Sequence, residues 1–138
     1  MRPVNLFLTE NGVLKLGYYG LTTQAECYFI KRKDCDGVRS FAPEVFRGEY
    51  EMKSDVWSFG TALIEMMGMT PYYWFTNNRL PTINGDYKSP FRADDIQSSE
   101  LTYFLEKCFE ERVSERCTVS ELMNVSVMGC RMMSSIHL

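Results

Sequence analysis

The sequence lacks most of the features that mark metal-binding, disulfide-stabilised or membrane proteins. Its 5 cysteines are an odd number and include no Cys-x-x-Cys pair, which argues against a disulfide framework and a zinc ribbon. The 1 histidine, His137, belongs to no recognisable catalytic triad. No apolar stretch is long enough to span a membrane, and the first residues do not form a signal peptide. We therefore predict reduced thiols, no bound metal, no membrane segment and a cytoplasmic location.

The sequence also has no excess of basic over acidic residues. The chain has 15 Lys and Arg against 18 Asp and Glu, and its formal net charge is -3. Nucleic-acid-binding proteins usually carry clustered positive charge, so we predict no nucleic-acid partner. The basic run at residues 31–33 is short, and it is more typical of a solvated loop than of a phosphate-binding patch.

The remaining composition is that of a folded globular protein. The chain has 138 residues, of which 45% are hydrophobic and 24% are charged. This length is that of one domain, and such a chain can bury a core. Regular patterning ends near residue 127. We therefore predict one domain over residues 1–127 and a frayed tail over residues 128–138.

Local patterns predict one hairpin and a buried helix. Apolar residues flank Asn11-Gly12 within residues 6–16, and Asn-Gly between such runs is a strong hairpin signal. Residues 54–67 place apolar side chains around most of a helix circumference, which is typical of a buried central helix. We expect Ser54 to cap this helix and Gly68 to end it.

Later segments predict further helices joined by irregular chain. Residues 99–109 carry a one-sided apolar pattern, and the Thr-x-x-Glu spacing at residues 118–121 is a capping box. Residues 20–41 show no persistent period, and residues 77–91 are interrupted by proline and glycine. The fold class predicted from these patterns is mainly α, with one small N-terminal β-hairpin.

Two motifs resemble a known family. Residues 42–44 read Ala-Pro-Glu, and residues 54–60 read Ser-Asp-Val-Trp-Ser-Phe-Gly. Together they resemble the segments that flank the substrate-docking shelf of protein kinases, and the resemblance covers about residues 5–123. It implies the helical C-terminal lobe of a protein kinase domain, in which residues 20–41 form an activation-segment-like loop.

The resemblance is greatest to the sterile-twenty group of serine/threonine kinases. Residues 5–16 contain a similar Glu-Asn-Gly turn, and residues 105–118 are similar to the final helices of that group. Cys117 replaces a proline that normally stands there. The glycine-rich loop, the strand lysine and the His-Arg-Asp segment of a kinase are not found in this sequence.

The metal-binding residues of the family are matched only in part. Asn5 is similar to the catalytic-loop asparagine that binds the second metal ion, whereas Tyr18, Tyr19 and Gly20 stand where kinases carry Asp-Phe-Gly. A phenol with a pKa of about 10 is neutral at pH 7 and cannot replace a carboxylate as a Mg²⁺ ligand. The resemblance therefore implies a degenerate metal site, no catalytic residues, no cofactor and no ATP binding.

Other matched positions imply structural roles. In the kinase pattern, Glu44 and Arg116 form a buried ion pair that ties the end of the activation segment to the last helices, and we expect that pair here. Removing one partner of such a pair costs about 3–5 kcal/mol, because a buried charge is left unpaired. Asp55 matches a residue that braces the catalytic loop, but we expect it to serve as an acid at the helix start, favoured by the macrodipole.

The resemblance also implies a surface on which another protein docks. This surface would combine the shelf after the Ala-Pro-Glu motif with a second loop, and its partner would be a protein of the kinase-signalling type. We predict that it is formed by Ala42, Pro43, Glu44, Tyr50, Tyr72, Tyr73 and Trp74.

Three functions are compatible with these residues. The first is a catalytically inactive, pseudokinase-like protein that is not an enzyme and acts as a protein-binding module or scaffold in kinase signalling. The alternative is a portion of a serine/threonine kinase that transfers phosphate from ATP to protein, with the missing half supplied by a longer form. A third is a truncated product without selected activity. The absence of a carboxylate at Tyr18 favours the first over the alternative.

Overall fold

The structure is a computed structural model, and it describes residues 3–17, 40–71 and 89–125 of the chain. The predicted fold class, mainly α with one small N-terminal hairpin, is confirmed. Most of the predicted irregular segments at 20–41 and 77–91 lie outside the described residues, as does the predicted tail at 128–138. The strands are Leu6–Leu8 (β1) and Leu14–Leu16 (β2); the α-helices are Met52–Met66 (α1), Ser99–Cys108 (α2) and Val119–Leu122 (α3); short 3-10 helices span Pro3–Asn5, Pro43–Arg47 and Ala93–Asp95.

The hairpin forms where Asn-Gly predicts it. Strands β1 and β2 are antiparallel, with Leu6 opposite Leu16 and Leu8 opposite Leu14. Gly12 takes a φ of 77°, a left-handed conformation that glycine adopts without strain. The strands contribute little to the core, because Leu8 is 71% exposed.

Helix α1 begins at Met52, so the prediction that Ser54 caps it is wrong. The N-cap residue is Glu51, and Ser54 is the third helical residue, whose hydroxyl takes part in the capping box. This hydroxyl accepts a hydrogen bond from the Glu51 N–H (3.3 Å) and donates one to the Glu44 carboxylate (2.7 Å). Ser54 therefore joins the helix to another segment instead of marking its first residue.

The predicted end of α1 at Gly68 is confirmed. Gly68 has a φ of 75°, and its N–H donates to the Glu65 carbonyl (3.0 Å) while the Met69 N–H donates to the Ile64 carbonyl (3.2 Å). These two bonds are those of a Schellman motif, which satisfies carbonyls that the helix end would leave unpaired.

The core forms where α1 packs against α2 and the chain that follows it. Trp57 meets Phe109 edge-to-face at 5.1 Å between ring centroids, and Phe59 meets Phe104 at 6.2 Å. Gly60 permits the close approach, because a Cβ there would lie 2.8 Å from the Cys108 Cβ. Burying one aromatic side chain of this kind stabilises the fold by roughly 1.5–3 kcal/mol. Helix α1 is thus the central buried helix that the sequence predicts.

Helix α3 begins at the cap that the sequence predicts, whereas α2 begins at a serine cap that sequence reasoning did not identify. The Ser98 hydroxyl accepts from the Leu101 N–H (3.2 Å) at the start of α2. At α3, Thr118 Oγ1 accepts from the Glu121 N–H (3.2 Å) and the Glu121 carboxylate accepts from the Thr118 N–H (2.7 Å). These reciprocal bonds form the predicted capping box. Across the described parts of the chain, every helix is too short or too polar to cross a membrane.

Candidate functional site

The Pro43–Arg47 3-10 helix presents Glu44 to the interior. Pro43 begins it, where its fixed φ suits a helical start, and Gly48 ends it with a φ of 82°. The Gly48 N–H donates to the Val45 carbonyl (3.0 Å), and the Glu49 N–H donates to the Glu44 carbonyl (3.1 Å). This short closed turn keeps the Glu44 carboxylate on the side that faces the core.

Glu44 and Arg116 form a two-point ion pair. Arg116 Nη1 donates to Glu44 Oε1 at 2.6 Å, and Arg116 Nη2 donates to Glu44 Oε2 at 3.0 Å. Both side chains are fully buried. Parallel charge-assisted bonds of this kind fix orientation as well as distance. The pair therefore holds the Pro43–Arg47 turn in one position against the loop before α3.

The remaining donors of Arg116 are also engaged. Nε donates to the Glu110 carbonyl (2.8 Å), Nη1 to the Lys53 carbonyl (3.1 Å) and Nη2 to the Glu111 carbonyl (3.4 Å). All five N–H groups of the guanidinium thus have acceptors. The guanidinium carbon also lies 5.0 Å from the centroid of the Trp57 ring, in cation–π range. Arg116 thus connects its own loop to Lys53 and Glu44, which lie 63 and 72 positions away in sequence.

The surroundings of Glu44 favour its charged form. Burial alone would raise the pKa of this carboxyl, but hydrogen bonds from Arg116 and Ser54 outweigh burial and hold the pKa below its ordinary value. Ser54 donates to the same oxygen, Oε1, that Arg116 Nη1 contacts. The carboxylate is therefore ionised and paired at neutral pH.

A second contact anchors Ser40, which lies two residues before the Ala-Pro-Glu motif. Ser58, in the middle of α1, donates its hydroxyl hydrogen bond to the Ser40 carbonyl at 2.8 Å, and both residues are buried. Sequence reasoning missed this bond and the bond between Ser54 and Glu44. Neither has a local signal, because the partners lie 18 and 10 positions apart.

The predicted metal site is described only in part. Asn5 ends the first 3-10 helix, and its carbonyl accepts from the Gly17 N–H at 2.8 Å, which brings the two open ends of the hairpin together. Tyr18, Tyr19 and Gly20 lie outside the described residues. Within residues 3–17, 40–71 and 89–125, no three His, Cys, Asp or Glu side chains are grouped to hold a metal ion.

The residues predicted to form a docking surface differ in their exposure. Ala42 and Glu44 are fully buried, so their side chains offer no area to a partner. Pro43 is half-buried and Tyr50 is 42% exposed. The exposed part of the shelf is therefore residues 47–50, next to the start of α1. Tyr72, Tyr73 and Trp74 lie outside the described residues.

Asp55 lies in the first turn of α1 and is exposed. A carboxylate at this position interacts favourably with the positive end of the helix macrodipole, by about 0.3–1 kcal/mol at an exposed site. The placement is that of an acid at a helix start.

Comparison with known proteins identifies relatives over most of the chain. The family model for protein tyrosine and serine/threonine kinases matches residues 1–125. Serine/threonine-protein kinase STE20 of Candida glabrata is 36% identical over 126 residues, which cover 87% of this chain and 14% of that protein. Serine/threonine-protein kinase dst1 of Dictyostelium discoideum is 34% identical over 124 residues, 87% of this chain and 17% of that protein. Serine/threonine-protein kinase Nek9 of Xenopus laevis is 26% identical over 136 residues, 95% of this chain and 14% of that protein.

These comparisons confirm one expectation and correct another. The predicted resemblance to a kinase-domain fragment of the sterile-twenty type is confirmed. The prediction that the chain is not an enzyme is wrong, because its family and its relatives are protein kinases. The chain spans less than a fifth of the length of each of the three relatives named above.

Proposed function

The chain belongs to the protein tyrosine and serine/threonine kinase family, and we propose that it forms the C-terminal lobe of a domain that phosphorylates serine or threonine in proteins. The three relatives named above are serine/threonine-protein kinases, which supports this substrate class. Phosphoryl transfer also needs a glycine-rich loop and a strand lysine, and the 138 residues contain neither. We propose that a longer form of the protein supplies them.

The observation that carries the proposal is the buried pair of Glu44 and Arg116, with all five guanidinium donors engaged. This network fixes the Pro43–Arg47 turn to the core of the lobe. Phosphoryl transfer depends on positioning the acceptor hydroxyl, and a small misplacement of the reacting groups costs much of the rate. A rigid shelf is the contribution that we propose this lobe makes to catalysis.

We propose further that the exposed shelf carries the protein substrate or a signalling partner. Tyr50 is 42% exposed and lies two residues before Met52, the first residue of α1, which is 91% exposed. Tyrosine and methionine are enriched in protein–protein interfaces. The shelf therefore offers apolar area directly after the turn that Glu44 and Arg116 hold in place.

The residues of this chain fit a magnesium ion only in part. Asn5 offers an amide oxygen, which is a suitable hard ligand, but Tyr18 offers a neutral phenol in place of a carboxylate. We therefore derive no catalytic step through a metal. The residues described here hold the substrate shelf and close the hairpin that carries Asn5.

A phosphoryl-transfer assay tests the proposal, and it uses the protein in the form that its own cells produce. The tagged protein is recovered from its own cells and incubated with γ-labelled ATP and a basic protein substrate, beside an Asn5→Ala version recovered in the same way. We expect label on serine and threonine of the substrate, and less label from the variant.

Two results would contradict the proposal. One is label no greater than that from a heat-treated sample, since the protein would then carry no phosphotransferase activity. The other is label no greater than that from a mock recovery of cells without the tagged protein, because a contaminating kinase would then be its source. Label confined to tyrosine would keep the kinase activity but refute the proposed substrate class.

A further inference from the structure

A cleft with an acidic rim lies apart from the shelf. It has a volume of about 360 Å³ and lies between the chain around Phe91 and the C-terminal end of α2. Phe91 and Phe109 form its floor, with ring centroids 5.7 Å apart. Glu106, Glu110 and Glu111 line its rim. This volume is within the range of ligand-binding clefts, about 300–1,000 Å³.

Only part of the negative charge of the rim is offset within the described chain, because Arg112 interacts electrostatically with Glu110 and Glu111. Glu106 and Glu111 are exposed, and across the three described segments neither carboxylate forms an ion pair. The cation of the lining, Arg112, is engaged by Glu115 at 2.7 Å. The Lys107 ammonium lies over the ring of Tyr103, 5.1 Å from its centroid. The cleft therefore presents negative charge to solvent.

The cleft is also held rigidly by the buried arginine of the shelf network. Arg116 donates to the carbonyls of Glu110 (2.8 Å) and Glu111 (3.4 Å), which fixes the backbone of the rim. The floor is fixed by the contact of Phe109 with Trp57. A preorganised site binds with less ordering cost than one that must form on binding.

We propose that this acidic cleft binds a basic peptide segment of a protein partner. An arginine or lysine head group lies between Glu106 and Glu111, and the aliphatic stem of that side chain packs on the Phe91 and Phe109 floor. Charge complementarity selects the partner, because like charges across the rim repel an acidic or phosphorylated segment. Binding requires no ATP, so the inference goes beyond the proposed phosphoryl transfer and does not depend on it.

Peptide titration of the full chain tests the inference. The probe is a fluorescein-labelled peptide with the sequence Ala-Arg-Arg-Leu-Ala-Arg-Arg-Leu-Ala, and the comparison peptide carries Glu at each Arg. Anisotropy is measured with the wild type, with Glu106→Gln/Glu111→Gln, and with Glu10→Gln/Asp94→Asn. The last variant loses the same charge at exposed positions outside the cleft. Thermal melts establish that all three proteins are folded.

We expect the cleft variant to bind the arginine peptide about tenfold or more weakly, while the control variant binds like the wild type. Binding to the wild type should weaken as salt is raised, because exposed charges are screened. Equal binding of the two peptides by the wild type would overturn the inference. So would equal losses in the two variants, because net charge and not the cleft would then determine binding.

Discussion

The guanidinium of Arg116 lies 5.0 Å from the centroid of the Trp57 ring while it holds both carboxylate oxygens of Glu44. One side chain thus connects the central helix to the turn that carries the Ala-Pro-Glu motif. Every N–H group of the guanidinium has an acceptor, because three backbone carbonyls accept the hydrogen bonds that Glu44 does not. Stability and the position of the shelf therefore depend on the same residue.

The pKa of Glu44 predicts how stability changes with pH. Burial raises this pKa, but the hydrogen bonds from Arg116 and Ser54 lower it by more, so the folded pKa lies below the unfolded one, which is near 4.5. The contribution of the carboxylate is present above the unfolded pKa and is lost as pH falls through the folded pKa. We expect the stability advantage of the wild type over Glu44→Gln to shrink below about pH 4.5, measured by urea melts from pH 7 to 3. A constant difference would contradict this assignment.

Gly60→Ala should destabilise the lobe by about 1–3 kcal/mol, because the new methyl group would overlap Cys108 and Phe109. In an exposed helix the same change would be stabilising, since alanine is the better helix former. Urea melts measure the effect, with Met66→Ala at a half-exposed position of α1 as the control. A Gly60→Ala protein as stable as the wild type would show that α1 and α2 do not approach so closely.

Cys108 should resist alkylation in the folded protein. Burial and the charge of Cys117 raise the pKa of the Cys108 thiol to about 12, despite the opposing charge of Arg116, so almost no thiolate exists near neutral pH. Mass spectrometry after iodoacetamide treatment at pH 8 should find Cys108 unmodified without urea and modified with it. Rapid labelling of Cys108 in the native chain would place it outside the core.

Local signals in the sequence predicted local structure well. The Asn11-Gly12 pair predicted the hairpin, and the Thr118 and Glu121 spacing predicted the capping box, because in each case the interacting groups lie within a few residues. The Glu44 and Arg116 contact spans 72 positions. It was predictable only through the resemblance to a family in which the two residues are paired.

Other parts of the site carry no sequence signal. Three acceptors of Arg116 are backbone carbonyls. Every residue has a backbone carbonyl, so the residue types at these positions do not predict the hydrogen bonds. Ser54 looked like a helix cap because serine favours that position, yet its hydroxyl bonds to Glu44. The burial of Ala42 likewise depends on how α1 and the Pro43–Arg47 turn meet, which only the assembled fold determines.

A double-mutant cycle on Glu44 and Arg116 tests most directly whether this pair holds the lobe together. Urea melts give the unfolding free energies of the wild type, Glu44→Gln, Arg116→Met and the double variant. We expect each single change to cost about 3–5 kcal/mol, since it leaves a buried polar or charged group unpaired. The double change should cost less than the sum, with a coupling of about 2 kcal/mol or more. Additive losses, with a coupling near zero, would contradict the account.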